Sequence, residues 1–316
     1  MLKYGLVCIS TTLRDKDPEM AFKTMTRTQF LKMERRAAVF ELSSRILHNL
    51  NVTYETLKQC AELGIQHYRI SCKLFPLMTE PNLKLNIAEF LNCEKIIQRL
   101  SDIGSLATQL GISMSCHPDQ FVVLGSNSDD ICSKSILELN FHAWVMDSMG
   151  LPQNYSAPIN IHPSLSKFES PEKFVDKFIR NFFQCDIGVR NRLVVENEHN
   201  GFWSCKNLYK YFHSYMKNNY NFHFPLTLDN LHDKCNPSKN EFNEIISYKD
   251  WFLKFYSTWN CEPTFHWSES DDNSFKHGKK VIIPPPDYGL DCIYEMEYKD
   301  KDNGFKHLLN NSIPLA

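Results

Sequence analysis

A chain of 316 residues, 42% hydrophobic and 23% charged, has enough apolar mass for a large core and is not disordered or fibrous in composition. A formal charge of −2 excludes a globally basic surface, and no apolar run approaches the roughly 20 residues that cross a bilayer. The opening stretch MLKYGLVCISTTLRD lacks the apolar segment of a secretory leader, so an intracellular, non-secreted protein is expected.

In chain order, eight short runs have strand character: residues 4–9 (YGLVCI), 66–71 (QHYRIS), 112–116 (ISMSC), 158–161 (PINI), 192–195 (RLVV), 225–228 (PLTL), 263–265 (PTF) and 292–296 (CIYEM). Segments with helical periodicity separate most of them, such as residues 88–110, 135–149, 171–184 and 206–217. Ser170 followed by Pro171 reads as a helix cap and first turn. Eight strands alternating with helices predict a single α/β domain over residues 1–316, a TIM-like (β/α)8 barrel. An open doubly wound sheet shares the alternation, but no G-x-G-x-x-G follows the first strand. The eleven cysteines are odd in number and form no C-x-x-C pair, which speaks against a disulfide framework or a thiolate zinc site.

The strand ends carry the chemistry. The third run leads to His117, the fourth to His162 and the fifth to Glu196; the sixth leads to Asp229 and His232, the seventh to His266 and the eighth to Glu297. In a parallel barrel all of these project at the C-terminal rim, where barrel enzymes keep their active sites. Each alone has an ordinary structural explanation. Glu196 reads as an ion-pair partner and Asp229 as a helix cap. Of the twelve histidines, His48, His67, His142, His199, His213, His223 and His307 are assigned structural roles. Six consecutive strand ends bearing His, Asp or Glu are a different matter. Carboxylates buried side by side need cations, and mixed nitrogen and oxygen donors favour manganese, zinc or iron over magnesium. The ligands outnumber what one ion needs, so two or three divalent ions are expected, an arrangement suited to phosphodiester hydrolysis.

Residues 268–280 (SESDDNSFKHGKK) read as a long loop after the seventh strand, with His277 a further ligand candidate and Lys276, Lys279 and Lys280 either phosphate contacts or a solvated face. A second basic patch, Arg27, Lys32, Arg35 and Arg36, precedes the second strand. Phosphate contacts of this kind position a nucleic acid without reading its sequence.

These motifs, YRIS…LFPL, HPDQF, INIHPS, VVENEH, LDNLHDKCNP, FHWSES and EMEYKDKD, resemble in order and spacing those of the ultraviolet-damage endonucleases. The resemblance covers nearly the whole chain. It implies a TIM-like barrel that cuts damaged double-stranded DNA immediately 5′ to a photoproduct, using a cluster of divalent ions, typically manganese. The implied ligands are His117, His162, Glu196, Asp229, His232, His266, His277 and Glu297. Gln120 and Phe121 are the implied pair that probes the duplex, where a wedge offsets lost base stacking. Arg69, Lys73, Ser10 and Lys276 are further DNA-contact candidates, Arg69 reading equally as an ion-pair residue. The chain departs from the pattern at three places: Phe121 stands where tyrosine is common, Thr264 where a modifiable lysine is common, and Leu6 and Ser10 where an aromatic and an asparagine are usual. A monomer without an obligate protein partner is expected. The alternatives are another metal-bearing barrel, an apurinic-type endonuclease or a sugar isomerase, and, from a different class, a damage-binding protein without catalysis.

Overall fold

The eight predicted runs become eight parallel strands: β1 (Leu2–Val7), β2 (His67–Ile70), β3 (Ser113–Cys116), β4 (Ile159–Ile161), β5 (Leu193–Glu196), β6 (Leu226–Thr227), β7 (Thr264–Trp267) and β8 (Cys292–Met296). They come from a computed structural model that describes residues 2–164, 167–272 and 274–309. The hydrogen-bonded order is β6-β5-β4-β3-β2-β1-β8-β7, so each strand lies beside its predecessor and β8 returns to β1. Between β6 and β7 the ring closes through one parallel bridge, Asp229 to His266, with the His266 N–H donating to the Leu228 carbonyl at 3.0 Å. The fold is the TIM-like barrel expected from the alternation. Its closing seam lies between two of the predicted metal ligands.

Strand boundaries moved for local reasons. β1 stops at Val7 because Cys8 takes a left-handed conformation, φ 70°, which turns the chain out of the sheet. β5 and β7 run on far enough to include Glu196 and His266 themselves. Ser170 caps the helix Pro171–Phe182 as predicted, accepting from the Lys173 N–H at 3.2 Å. Among the described residues the longest helix, Arg35–Leu63, begins within the exposed basic patch, and Arg35 is held there by Glu89 at 3.0 Å and the Leu83 carbonyl. Among the described residues no helix is long and apolar enough to cross a membrane.

Strand side chains alternate between two environments. Leu6, Tyr68, Ile70, Met114, Ile159, Ile161, Leu193, Val195, Phe265, Tyr294 and Met296 are all buried in the apolar core. Burying each such side chain contributes about 1.5–3 kcal/mol. Seven of their neighbours in sequence are polar and turn inward: His67, Arg69, Ser115, Asn160, Glu196, His266 and Glu295 bond to one another across different strands. The barrel is therefore built around a polar interior at its C-terminal end. One close approach makes this possible. A Cβ on Gly5 of β1 would lie 2.8 Å from Cδ2 of His67, whose ring nitrogen reaches Glu295 on the far side of β1. Gly5→Ala should cost about 1–3 kcal/mol by overpacking, read as a lowered thermal midpoint in circular dichroism. An unchanged midpoint would mean that His67 has room to move.

Candidate metal centre

Glu196, at the end of β5, is the hub. It is 1% exposed and four imidazoles from four different segments converge on it. His117 Nε2 lies 3.1 Å and His162 Nε2 3.7 Å from its Oε2; His266 Nδ1 lies 3.1 Å and His232 Nδ1 3.3 Å from its Oε1. The Asn160 amide adds a short hydrogen bond to Oε2. Burial acts to raise the Glu196 pKa, but the surrounding imidazoles outweigh it and hold the carboxyl well below its usual range.

Around this hub the remaining candidates join up. Asp229 caps the helix Asn230–Cys235, and the same turn brings His232 back over it. Asp229 Oδ2 lies 3.9 Å from Nδ1 of both His232 and His266. Glu297 lies 3.6 Å from His266 Nδ1 and 3.4 Å from His277 Nε2. All eight predicted ligands thus form one connected cluster. His277 comes from the loop after β7, which backbone bonds hold against the barrel end: the Lys299 N–H donates to the Gly278 carbonyl at 2.9 Å, next to His277.

Three observations fit this cluster to divalent ions. Ligand atoms of His117, His162 and Glu196, of Glu196, Asp229 and His266, and of His266, Glu295 and Glu297 each lie within 4.8 Å of one another. Inside the cluster, Asp229 Oδ2, His162 Nδ1 and Asn160 Oδ1 are buried without a hydrogen-bond partner, which is costly unless something else satisfies them. His117 and His232 place Nδ1 2.9 Å from the carbonyls of Pro118 and Asn197, an anchoring common for ligand histidines because it leaves Nε2 with its lone pair.

A family model described as UV-endonuclease UvdE matches residues 2–314. The UV DNA damage endonuclease of Nostoc sp. is 31% identical over 309 residues, covering 96% of this chain and 88% of the relative. This chain belongs to the UV-endonuclease UvdE family. The crystal structure of SacUVDE superposes with a TM-score of 0.78 at 25% identity, covering 98% of each chain. A 3-keto-D-glucoside 4-epimerase from E. coli, at 9% identity and a TM-score of 0.52 over 82% of this chain and 94% of its own, shares the barrel fold alone.

Outside the ligand cluster, the DNA-contact candidates of this UvdE-family chain separate into two groups. Gln120, Phe121, Lys73 and Lys276 are exposed, Phe121 by 79%. Phe121 stands between two clefts. One, about 470 Å³, includes Lys73, Phe75, Pro76 and Asp119; the other, about 310 Å³, includes Ser164, Glu198, His199 and Phe202. The adjoining Val122, Val123 and Leu124 are buried, so the aromatic projects from an anchored turn. Ser10 and Arg69 do not stand with them. Ser10 is 2% exposed, caps the helix Thr11–Lys16 and donates to Asp302 at 2.6 Å, which leaves it no free hydroxyl proton. Arg69 turns into the barrel onto Glu295, at 2.9 Å, and Glu297, because those buried carboxylates need a cation.

Sequence reasoning missed three members of the site. Glu295 bonds His67, Arg69, Ser115 and His266; Asn160 bonds Glu196; and Glu198 lies 3.8 Å from His162 Nδ1. His67, assigned a purely structural role, bonds Glu295 within the site. Each of Glu295, Asn160, Ser115 and His67 sits two residues before a residue named from the sequence (Glu297, His162, His117 and Arg69), and the period of two was the available signal.

The electrostatics make metal binding pH-dependent. Burial lowers the His162 pKa to about 3, while for His232 burial is outweighed by Asp229 and Glu196 and the value rises to about 10. For His266 burial is likewise outweighed, by Glu196 and Glu297 first. In the metal-free protein, protons on His232 and His266 neutralise the carboxylates. For His232 that contribution to stability is full below the ordinary value of 6.5 and is lost as pH rises through about 10. Metal ligation requires those protons to leave, so adding Mn²⁺ at pH 7 should release protons, and affinity should fall as the solution is acidified. Calorimetry in buffers of different ionisation enthalpy measures this directly; proton uptake, or none, would contradict the assignment.

Proposed function

We propose that this protein is a metal-dependent DNA repair endonuclease. It hydrolyses one phosphodiester of duplex DNA immediately 5′ to an ultraviolet photoproduct, a cyclobutane pyrimidine dimer or a 6-4 photoproduct, and leaves a 3′-hydroxyl and a 5′-phosphate. The supporting observation is a connected cluster of eight His, Asp and Glu side chains, five of them buried, at the rim of a UvdE-family barrel, with an exposed aromatic wedge beside it.

His117, His162, Glu196, Asp229, His232, His266, His277 and Glu297 would hold two or three divalent ions, with manganese the favoured metal. Bound there, such ions supply hydroxide at neutral pH and neutralise charge on the scissile phosphate and the leaving oxygen. The chain's own groups do the positioning. Asn160 fixes the orientation of Glu196, and the Pro118 and Asn197 carbonyls fix the rings of His117 and His232. Phe121 enters the base stack with Gln120 beside it, at a point where a photoproduct has already weakened stacking. Lys73 and Lys276 meet backbone phosphates, which sets register and adds salt dependence to binding. A sugar isomerase has no use for an exposed wedge between two open clefts.

A labelled duplex with a single cyclobutane dimer, incubated with protein and Mn²⁺, should be nicked immediately 5′ to the dimer. Chelator should abolish the nick, and undamaged duplex should give none. No nick by protein with metals confirmed bound would reject the reading. His266→Ala should lose incision by at least 100-fold, as for a 2.7 kcal/mol loss of transition-state stabilisation or more (about 1.36 kcal/mol per tenfold), while damaged-DNA binding changes far less. Equal loss of both in gel-shift and incision assays would count against that division of labour. Phe121→Ala should weaken preference for damaged over undamaged duplex and leave metal content unchanged; depleted metal in this variant would remove Phe121 from the recognition role.

A further inference from the structure

Glu295 is a buried carboxylate, 1% exposed, that the eight-ligand set does not use. It sits on β8 opposite His266 of β7 and two residues before Glu297, so it forms the layer of the barrel interior just beneath the cluster. Its Oε1 accepts from His67 Nε2 at 3.1 Å and from the Ser115 hydroxyl in a short bond. Its Oε2 accepts from Arg69 at 2.9 Å and faces His266 Nε2 at 3.1 Å. A carboxylate has about four lone-pair positions. Here four donors fill them, and Arg69 compensates the charge in place.

The contact with His266 is the informative one. An ionised carboxylate accepts only, so the ring nitrogen facing it must carry a proton. Nδ1 faces a carboxylate as well, Glu196 at 3.1 Å, with Glu297 at 3.6 Å and Asp229 at 3.9 Å, but these are members of the ligand set that an ion would engage, whereas Glu295 is pinned by Arg69, His67 and Ser115; Nδ1 is therefore the nitrogen on the side of the ion. His117 and His232 make the opposite choice, since their Nδ1 atoms are engaged by backbone carbonyls. Metal-ligating histidines commonly give their other N–H to a carboxylate, which fixes the ring and raises its basicity.

We propose that Glu295 is the positioning residue of the metal centre: it fixes His266 as the Nε2–H tautomer and thereby presents Nδ1 as the metal-binding nitrogen. Glu295 itself is not a ligand, although its carboxylate lies close enough to His266 and Glu297 to share an ion with them. Three of its donors, His67, Ser115 and Arg69, lie outside the ligand set and hold it whether or not an ion is bound, whereas the four imidazoles on Glu196 are themselves ligand candidates. Arg69 serves the same purpose one step further out, tying Glu295 and Glu297 to β2. The inference rests on the reading of the cluster as a metal centre.

The test uses the full-length chain, stripped with chelator and titrated with Mn²⁺ while the electron paramagnetic resonance of the free ion is followed. This yields both the number of ions and their affinity. Glu295→Gln should bind the same number of ions as wild type, with at least one site weakened roughly 10- to 100-fold. A variant that binds one ion fewer would make Glu295 a ligand and overturn the proposal. Unchanged affinity would overturn it too, leaving Glu295 only a structural role. Wild type that binds no Mn²⁺ would defeat the metal reading itself and the proposal with it. A measurement on wild type guards against a variant that does not fold. In the Zn²⁺-loaded, ¹⁵N-histidine-labelled protein, the His266 resonance, identified by its loss in His266→Gln, should show a proton on Nε2 and none on Nδ1. A proton on Nδ1 would overturn the assignment.

Discussion

Four carboxylates, Glu196, Asp229, Glu295 and Glu297, are folded into the inner end of one barrel, each at most 6% exposed. Left unpaired, buried charges of this kind cost several kcal/mol apiece even after local relaxation. The rest of the interior answers that cost. Arg69 and His67 come from β2 to face Glu295, four histidines surround Glu196, and Asn160 closes its remaining side. Asp229 Oδ2 and His162 Nδ1, which have no hydrogen bond, lie where cations would complete the set. A core built this way would gain stability from bound metal. Free energy of metal binding then adds directly to free energy of folding.

The architecture divides the work between rigid and displayed parts. Six of the eight clustered residues lie on strands or within three residues of a strand end, so their positions are set by the hydrogen-bond ladders of the barrel. The two elements that reach outward, the turn bearing Gln120 and Phe121 and the loop bearing Lys276 and His277, follow β3 and β7. Loops on a rigid scaffold suit recognition, where side chains must meet a large and variable partner. Two seams of the barrel rest on a single residue pair, Cys116 with Ile159 between β3 and β4 and Asp229 with His266 between β6 and β7, and the second joins two members of the cluster. Ions held between β6 and β7 would strengthen the ring where its own hydrogen bonds are few.

The two layers of the interior account for what could and could not be read in advance. His117, His162, Glu196, Asp229, His266 and Glu297 were legible because each interrupts or ends a strand-like run, and the break from apolar to polar is visible in one dimension. Glu295 lies inside such a run, CIYEM, and passes as a strand residue; only its neighbours across the barrel reveal that it faces inward with His67 and Arg69. Ser10 was a DNA-contact candidate through the family resemblance and Arg69 a candidate for either a DNA contact or an ion pair; Asp302, close to the far end of the chain, takes the first, and the β8 carboxylates give the second its ion pairs.

By itself the sequence determined the barrel, its eight strands, its family and the residue types of the cluster, because these depend on periodicity and on order along the chain. Tertiary structure alone decided which nitrogen of each histidine faces its neighbours, which carboxylates pair with Arg69 and which stay open, and how far Phe121 stands clear of the surface. Those outcomes depend on contacts between residues as much as about 290 positions apart, such as Ser10 with Asp302, and local pattern holds no information about distance in space.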